Sequence, residues 1–185
     1  MEVLTSIFLV FSAYLWGGIP LSYIVARRRK GIDIRKYGSG NVGAANIMAH
    51  VGKKIGFLVG LFDCIAKGAI PVVVAKYLGV GDSGQVFVGL MSITGHVWSP
   101  YIRFTGGRGV ATSAGVVCGL FMWQEALIIF VLMGIIGGLI LRETGLWTFI
   151  SILILPIITF VFQRPPEIQM ATLGIGAILI AKRLT

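Results

Sequence analysis

The sequence predicts an all-α polytopic membrane protein of about seven transmembrane helices, with the N-terminus outside and the C-terminus cytoplasmic. Three observations predict it. Of the 185 residues, 56% are hydrophobic and only 12% charged, whereas a soluble domain keeps about a quarter of its residues charged. The charges that exist fall mostly between long apolar runs. The basic residues are also shared unequally between alternate connections, which is how orientation in a bilayer is written into a chain.

Each run approaches the length a helix needs to cross about 30 Å of hydrocarbon. The first extends from about Val3 to Ala26 and bends near Gly17-Gly18-Ile19-Pro20, because proline removes a backbone donor. Glu2 stands before it with no basic run, so it reads as a retained span and not as a cleaved signal. The second covers about Ile55 to Leu78. It holds Asp63 and Lys67 at i, i+4 spacing, which reads as a structural ion pair facing the bundle, since charges in hydrocarbon persist when paired. The remaining helices are expected at about Val86–Phe104, Val110–Trp123, Ala126–Leu141, Leu146–Phe162 and Ile168–Ala181. No repeat or low-complexity segment divides the chain, so residues 1–185 form a single integral-membrane domain.

The segments after helices one, three and five, together with the tail, carry 13 of the 16 Lys and Arg residues, from Arg27-Arg28-Arg29-Lys30 to Lys182-Arg183. The other side holds Arg164, Lys76 and the acids Glu2, Asp82, Glu125 and Glu167. Positive-inside counting therefore sets the stated orientation. The net charge of +9 has the same source, and no nucleic-acid partner is expected. Cys64 and Cys118 sit in apolar stretches without metal-ligand spacing and read as two buried free thiols.

Two glycine-rich loops share the cytoplasmic face. In the first, Gly38, Gly40 and Gly43 let backbone amides approach an anion, while Ser39, Asn41 and Asn46 offer side-chain donors. In the second, Gly106-Gly107-Arg108-Gly109 opens a helix that contains Thr112. A helix start offers free N–H groups, and Arg108 adds a fork of donors. Either loop alone also fits a tight turn between helices, and the Gly-Lys-Ser/Thr ending of a nucleotide loop is absent. His96, just ahead of the second loop, is a candidate general base or phosphate ligand, with a structural hydrogen-bonding role as the alternative.

The order Gly38-Ser39-Gly40-Asn41-Val42-Gly43-Ala44, Asn46, Gly52-Lys53-Lys54, Asp63, Lys67-Gly68, then Gly95-His96, Phe104, Gly106-Gly107 and Gly109-Val110-Ala111-Thr112 resembles two signatures of the acyl-phosphate:glycerol-3-phosphate acyltransferases. The resemblance implies a bacterial inner-membrane enzyme of phospholipid synthesis. Such an enzyme moves an acyl group from acyl phosphate to glycerol 3-phosphate, without acyl-CoA, acyl carrier protein, cofactor or metal. It implies membrane lipid around the protein and the soluble acyl-phosphate-producing enzyme as a partner. His96 and Ser39 become the catalytic candidates. Gly38, Ser39, Gly40, Asn41, Gly43, Asn46, Gly106, Gly107, Arg108, Gly109 and Thr112 become the phosphate-binding ones.

The chain departs from the family at polar positions. Ala45 stands for a Thr, Ala49 for an Arg, Arg108 for a Lys and Thr144 near a Ser, and the usual His and Asn after the last helix are missing. A non-catalytic homologue that binds anions, or a transferase for another phosphate-bearing acceptor, therefore remains an alternative. A transporter is the remote one, because no inverted repeat is present and the polar clusters lie on one face.

Overall fold

The structure, a computed structural model, describes residues 2–184; the side-chain charge of Glu2 and the terminal Thr185 lie outside the described residues. It is all-helical. Helices α1 (Glu2–Gly18) and α2 (Leu21–Lys30) form one apolar span broken at Ile19-Pro20. After a loop containing α3 (Ala44–His50), a second span runs through α4 (Lys53–Phe62), a π-helical stretch (Asp63–Ala69) and α5 (Ile70–Tyr77). Then come α6 (Asp82–Val97), α7 (Val110–Gly119), α8 (Trp123–Ile129) continued by a π-helical stretch (Phe130–Ile140), α9 (Thr144–Val161) and α10 (Pro166–Leu184). Four helical units among the described residues are long and apolar enough to cross a membrane: Val3–Lys30, Lys53–Tyr77, Trp123–Ile140 and Thr144–Val161. The three other expected spans are also helical; α6 has 16 residues, α7 has 10, and α10 has 19 with charges at both ends.

Boundaries differ from expectation where local chemistry ends a helix. The third helix stops at Val97, seven residues before the expected Phe104. Ser99 precedes Pro100, a position that disfavours helical backbone, and its hydroxyl donates to the Gly18 carbonyl at 2.5 Å. The fourth helix ends at Gly119, and Phe121 takes a positive φ of 59° before α8 starts at Trp123. The short α3 was not foreseen, because its seven residues carry no span-length signal.

The π-helical stretch in the second span has an identifiable cause. Ile70 N–H bonds back to Ile65 O, so the next donor in register should be residue 71, which is proline. The freed Ala66 carbonyl instead accepts from the Trp16 indole at 2.7 Å, and Ser92 Oγ donates to Lys67 O at 2.5 Å. Neighbouring helices thus satisfy what the proline leaves open, as hydrocarbon requires. Glycines let those neighbours approach: a Cβ on Gly95 would lie 2.0 Å from Tyr14 O, locking α6 onto α1. The inner core gathers Val72, Ile93, Val97, Val116, Met122 and Ile175, while Leu4, Phe8, Phe11 and Phe160 stay exposed toward what must be lipid.

The two ends of the bundle differ. At one end, the fully buried Glu125 receives a bidentate fork from Arg164, Nε–Oε1 2.7 Å and Nη2–Oε2 3.0 Å, near Lys76 and Asp82. The other end collects both glycine loops.

Candidate active site

A cavity of about 520 Å³ opens between the two glycine loops, the start of α9 and the end of α10. Ser39, Gly40 and Asn41 line it from the first loop, and Thr105, Gly106 and Arg108 from the second. Arg35, Lys182 and Arg183 complete a set of four cationic side chains, with no acidic side chain in the wall among the described residues. The wall therefore carries an excess of positive charge. The sequence reading missed Arg35, Thr105, Lys182 and Arg183, because charges flanking a span read first as topology signals.

The first loop is held from within. Asp33 caps a 3₁₀ turn (Ile34–Lys36) and grips Arg35 with Nε–Oδ1 at 2.9 Å and Nη2–Oδ2 at 2.8 Å. Arg35 also lies over the Tyr23 ring at 5.0 Å and reaches the Ile102 carbonyl and Thr105 hydroxyl, both at 3.4 Å, so it ties one loop to the other. The hydrogen bond from Arg35 pulls the Asp33 carboxyl down to about 2. The folded value lies below the unfolded one of about 3.9, so this contact contributes fully above about pH 4 and is lost as the pH falls toward 2. A carboxyl titration followed by NMR should therefore place Asp33 near 2 in the folded protein; a midpoint near 4 would show that the fork does not hold in solution.

Several expected phosphate ligands stand behind the cavity wall. Asn46 is buried, and its Nδ2 donates to the carbonyls of Ile34, Tyr37 and Asn41 at 3.0–3.2 Å. Its donors are spent on the loop, so the assignment to phosphate is corrected to a loop fastener. Thr112 is fully buried in α7 and does not reach the cavity, which corrects its assignment too. Gly107 donates its N–H to His96 O at 3.1 Å and is not free for a ligand. Gly38 and Gly40 take positive φ of 54° and 69°, the backbone that shapes the turn around Ser39. Gly43 caps α3, and Gly109 caps α7 with φ 81°; neither lines the cavity.

His96 is also set back. It is buried at the end of α6, with Lys67 Nζ 3.3 Å from its Nδ1. Lys67 Nζ lies 2.8 Å from Asp63 Oδ1 as well. An ammonium only donates, so Nδ1 accepts and the ring proton rests on Nε2. The expected Asp63–Lys67 pair is therefore present, and His96 joins it, whereas no substrate-cavity wall includes His96.

A second cavity of about 260 Å³ lies deeper, between α7, α8 with its π-helical continuation, α9 and α10. Its wall is almost wholly apolar and shares Val110, Thr148, Ile152 and Leu179 with the cationic cavity. Cys64 and Cys118 line it as half-buried free thiols, more open than the buried pair expected.

Residues 7–184 match the sequence profile of a family described as glycerol-3-phosphate acyltransferase. The chain belongs to the glycerol-3-phosphate acyltransferase family. Glycerol-3-phosphate acyltransferase 5 of Dehalococcoides mccartyi (strain ATCC BAA-2266 / KCTC 15142 / 195) is 37% identical over 187 residues, covering 98% of this chain and 78% of that protein. Glycerol-3-phosphate acyltransferase 4 of Dehalococcoides mccartyi (strain CBDB1) is 50% identical over 115 residues, 61% of this chain; the match spans about half (49%) of that relative's length. Among solved structures, the fold matches PlsY (YgiH), an integral membrane glycerol 3-phosphate acyltransferase, in its glycerol 3-phosphate form. The TM-score is 0.88 with 35% identity, covering 97% of this chain and 88% of that one. The family and the all-helical membrane fold thus agree with what the sequence predicts.

Proposed function

We infer that this protein transfers an acyl group from acyl phosphate to glycerol 3-phosphate, giving 1-acyl-glycerol 3-phosphate and inorganic phosphate. The observation that carries the reading is the junction of two cavities. One wall offers four cations to phosphate groups, and the space behind it offers apolar walls to an acyl chain. A soluble phosphate substrate needs only the first; an amphiphile whose carbonyl lies between head and tail needs both.

In this reading Ser39, Asn41 and Arg108 hold the phosphates at the mouth, with Arg35, Lys182 and Arg183 supplying further positive charge. Acyl phosphate is a mixed anhydride, already activated. The glycerol hydroxyl oxygen attacks the carbonyl carbon, the bond from that carbon to the bridging phosphate oxygen breaks, and phosphate leaves with the electron pair. The hydroxyl proton passes to a substrate phosphate oxygen, since the accepting nitrogen of His96 faces Lys67. The protein's main contribution is to hold two anionic head groups together and in line. The same reading has about seven helices crossing a bacterial inner membrane. The loop-bearing end then faces the cytoplasm, as charge counting directs, where a soluble enzyme can deliver acyl phosphate.

The test is phosphate release from palmitoyl phosphate by the purified chain in lipid, without CoA. Release that depends on glycerol 3-phosphate, with matching lysophosphatidic acid, supports the reading. Binding of glycerol 3-phosphate without release favours the non-catalytic homologue. Filling the apolar cavity with Ala114→Phe should raise the KM for palmitoyl phosphate about tenfold and leave glycerol 3-phosphate affinity unchanged; equal loss for both substrates would detach that cavity from the acyl chain.

A further inference from the structure

Three buried ionisable side chains cluster behind the second glycine loop. Asp63 and Lys67 are each 2% exposed and His96 is 7% exposed, so all three are out of reach of solvent. Each single member is costly in hydrocarbon and is tolerated only through its neighbours. Lys67 Nζ lies 2.8 Å from Asp63 Oδ1 and 3.3 Å from His96 Nδ1, and His96 Nδ1 lies 3.7 Å from the same Asp63 oxygen, so the three groups close a triangle in which Lys67 makes the two shorter contacts. An Asp–Lys pair alone would already satisfy the charge balance, so the histidine is an addition that ion pairing does not explain.

What His96 touches on its other side supplies the explanation. Its carbonyl accepts from Gly107 N at 3.1 Å. A Cβ on Gly107 would lie 2.1 Å from His96 Nε2, and one on Gly106 would lie 2.2 Å from His96 O. The ring and backbone of His96 thus form the surface on which Gly106 and Gly107 rest, one residue before Arg108 enters the cavity. Lys67 is fixed in turn by the π-helical stretch, whose register comes from Pro71.

We propose that Asp63, Lys67 and His96 form a positioning chain that sets the second glycine loop, and with it Arg108, for phosphate binding. The chain runs from the wide-turn register of the second span to the cavity rim: Asp63 orients Lys67, Lys67 fixes the ring of His96, and the ring supports Gly107. His96 is a positioning residue in this arrangement and not a catalytic one, because it does not line the cavity. The proposal rests on the reading of that cavity as the phosphate site.

The test compares wild type, His96→Asn, His96→Ala, the double variant Asp63→Asn/Lys67→Met, and His96→Ala added to that double variant, all in lipid. An asparagine carbonyl can accept from Lys67 in place of Nδ1, whereas alanine cannot. The double variant removes both charges together, so no lone charge is stranded. Glycerol 3-phosphate affinity by calorimetry, KM and kcat with palmitoyl phosphate, and thermal midpoint are measured on each. His96→Ala and the double variant should weaken glycerol 3-phosphate binding and raise its KM about tenfold or more, with kcat changed far less. His96→Asn should stay within about threefold of wild type, and His96→Ala in the double background should add little, as expected of residues acting through one another. A lowered thermal midpoint with unchanged affinity would reduce the cluster to packing. Loss of kcat in His96→Asn as complete as in His96→Ala would make the ring a reactant. Either result overturns the proposal. Wild type that fails to bind glycerol 3-phosphate overturns the phosphate-site reading and this proposal with it, whereas wild-type binding that no variant alters overturns the proposal alone.

Discussion

Arg108→Ala should lower kcat/KM for the acyl transfer by about 10²–10³, the scale of one lost contact to developing charge, or about 3–4 kcal/mol. Arg108 is exposed, lines the cationic cavity, and directly precedes Gly109, the cap of the ten-residue α7. Arg108 and Val110, the first residue of α7, both line the cavity, so a phosphate bound by the Arg108 fork would lie near the positive end of the α7 dipole. Arg35, Lys182 and Arg183 keep the cavity positive after the substitution, so substrate should still be attracted while its alignment is lost. Arg108→Lys keeps the charge but not the planar fork and should cost about tenfold. Steady-state rates against both substrates check this; a rate within about threefold of wild type in Arg108→Ala would move the phosphate away from the second loop.

Span positions were legible in the sequence because hydrocarbon demands a long apolar run and leaves charges only at its ends. Asp63 and Lys67 were legible for the same reason, as exceptions inside such a run. Loop residues were read by type, and that was not enough. Asn46 looks like a donor for a ligand, yet its amide faces Ile34, Tyr37 and Asn41 carbonyls. Nothing in a linear sequence says which way a side chain in a folded loop points. Lys182 and Arg183 looked like the end of a span, and only the packing of α10 beside α6 and α9 brings them to the cavity. The apolar cavity was invisible because space between helices depends on their distance, which periodicity does not encode.

Substrate chemistry fits the asymmetry between the two ends of the bundle. At the far end, charge is neutralised: Glu125 is fully buried and saturated by Arg164. At the loop end, Asp33 is committed to Arg35, and among the described residues the cavity wall offers the other cations no acidic side chain. Unneutralised cations at a rim are a standing cost to the fold through mutual repulsion, and a dianionic ligand relieves it.

Gly115→Val should destabilise the protein by about 3 kcal/mol or more, through overpacking that no rotamer can relieve. A Cβ at Gly115 would lie 1.8 Å from the Cys64 carbonyl oxygen, and one at Gly68 would lie 2.4 Å from the Thr112 carbonyl. Both obstacles are backbone, so α7 and the π-helical stretch would have to separate. In lipid, helices gain little from hiding apolar surface, and close backbone approach supplies much of their cohesion. Separation would therefore forfeit the contact itself, and it would also carry the start of α7 away from the first loop. Thermal unfolding in lipid should show a large fall in midpoint for Gly115→Val. Gly145→Ala, at a helix start where a Cβ meets nothing within 4 Å, should be neutral or slightly stabilising. Equal midpoints for the two variants would mean that α7 is not held by this contact, and that the cavity rim depends on its loops instead.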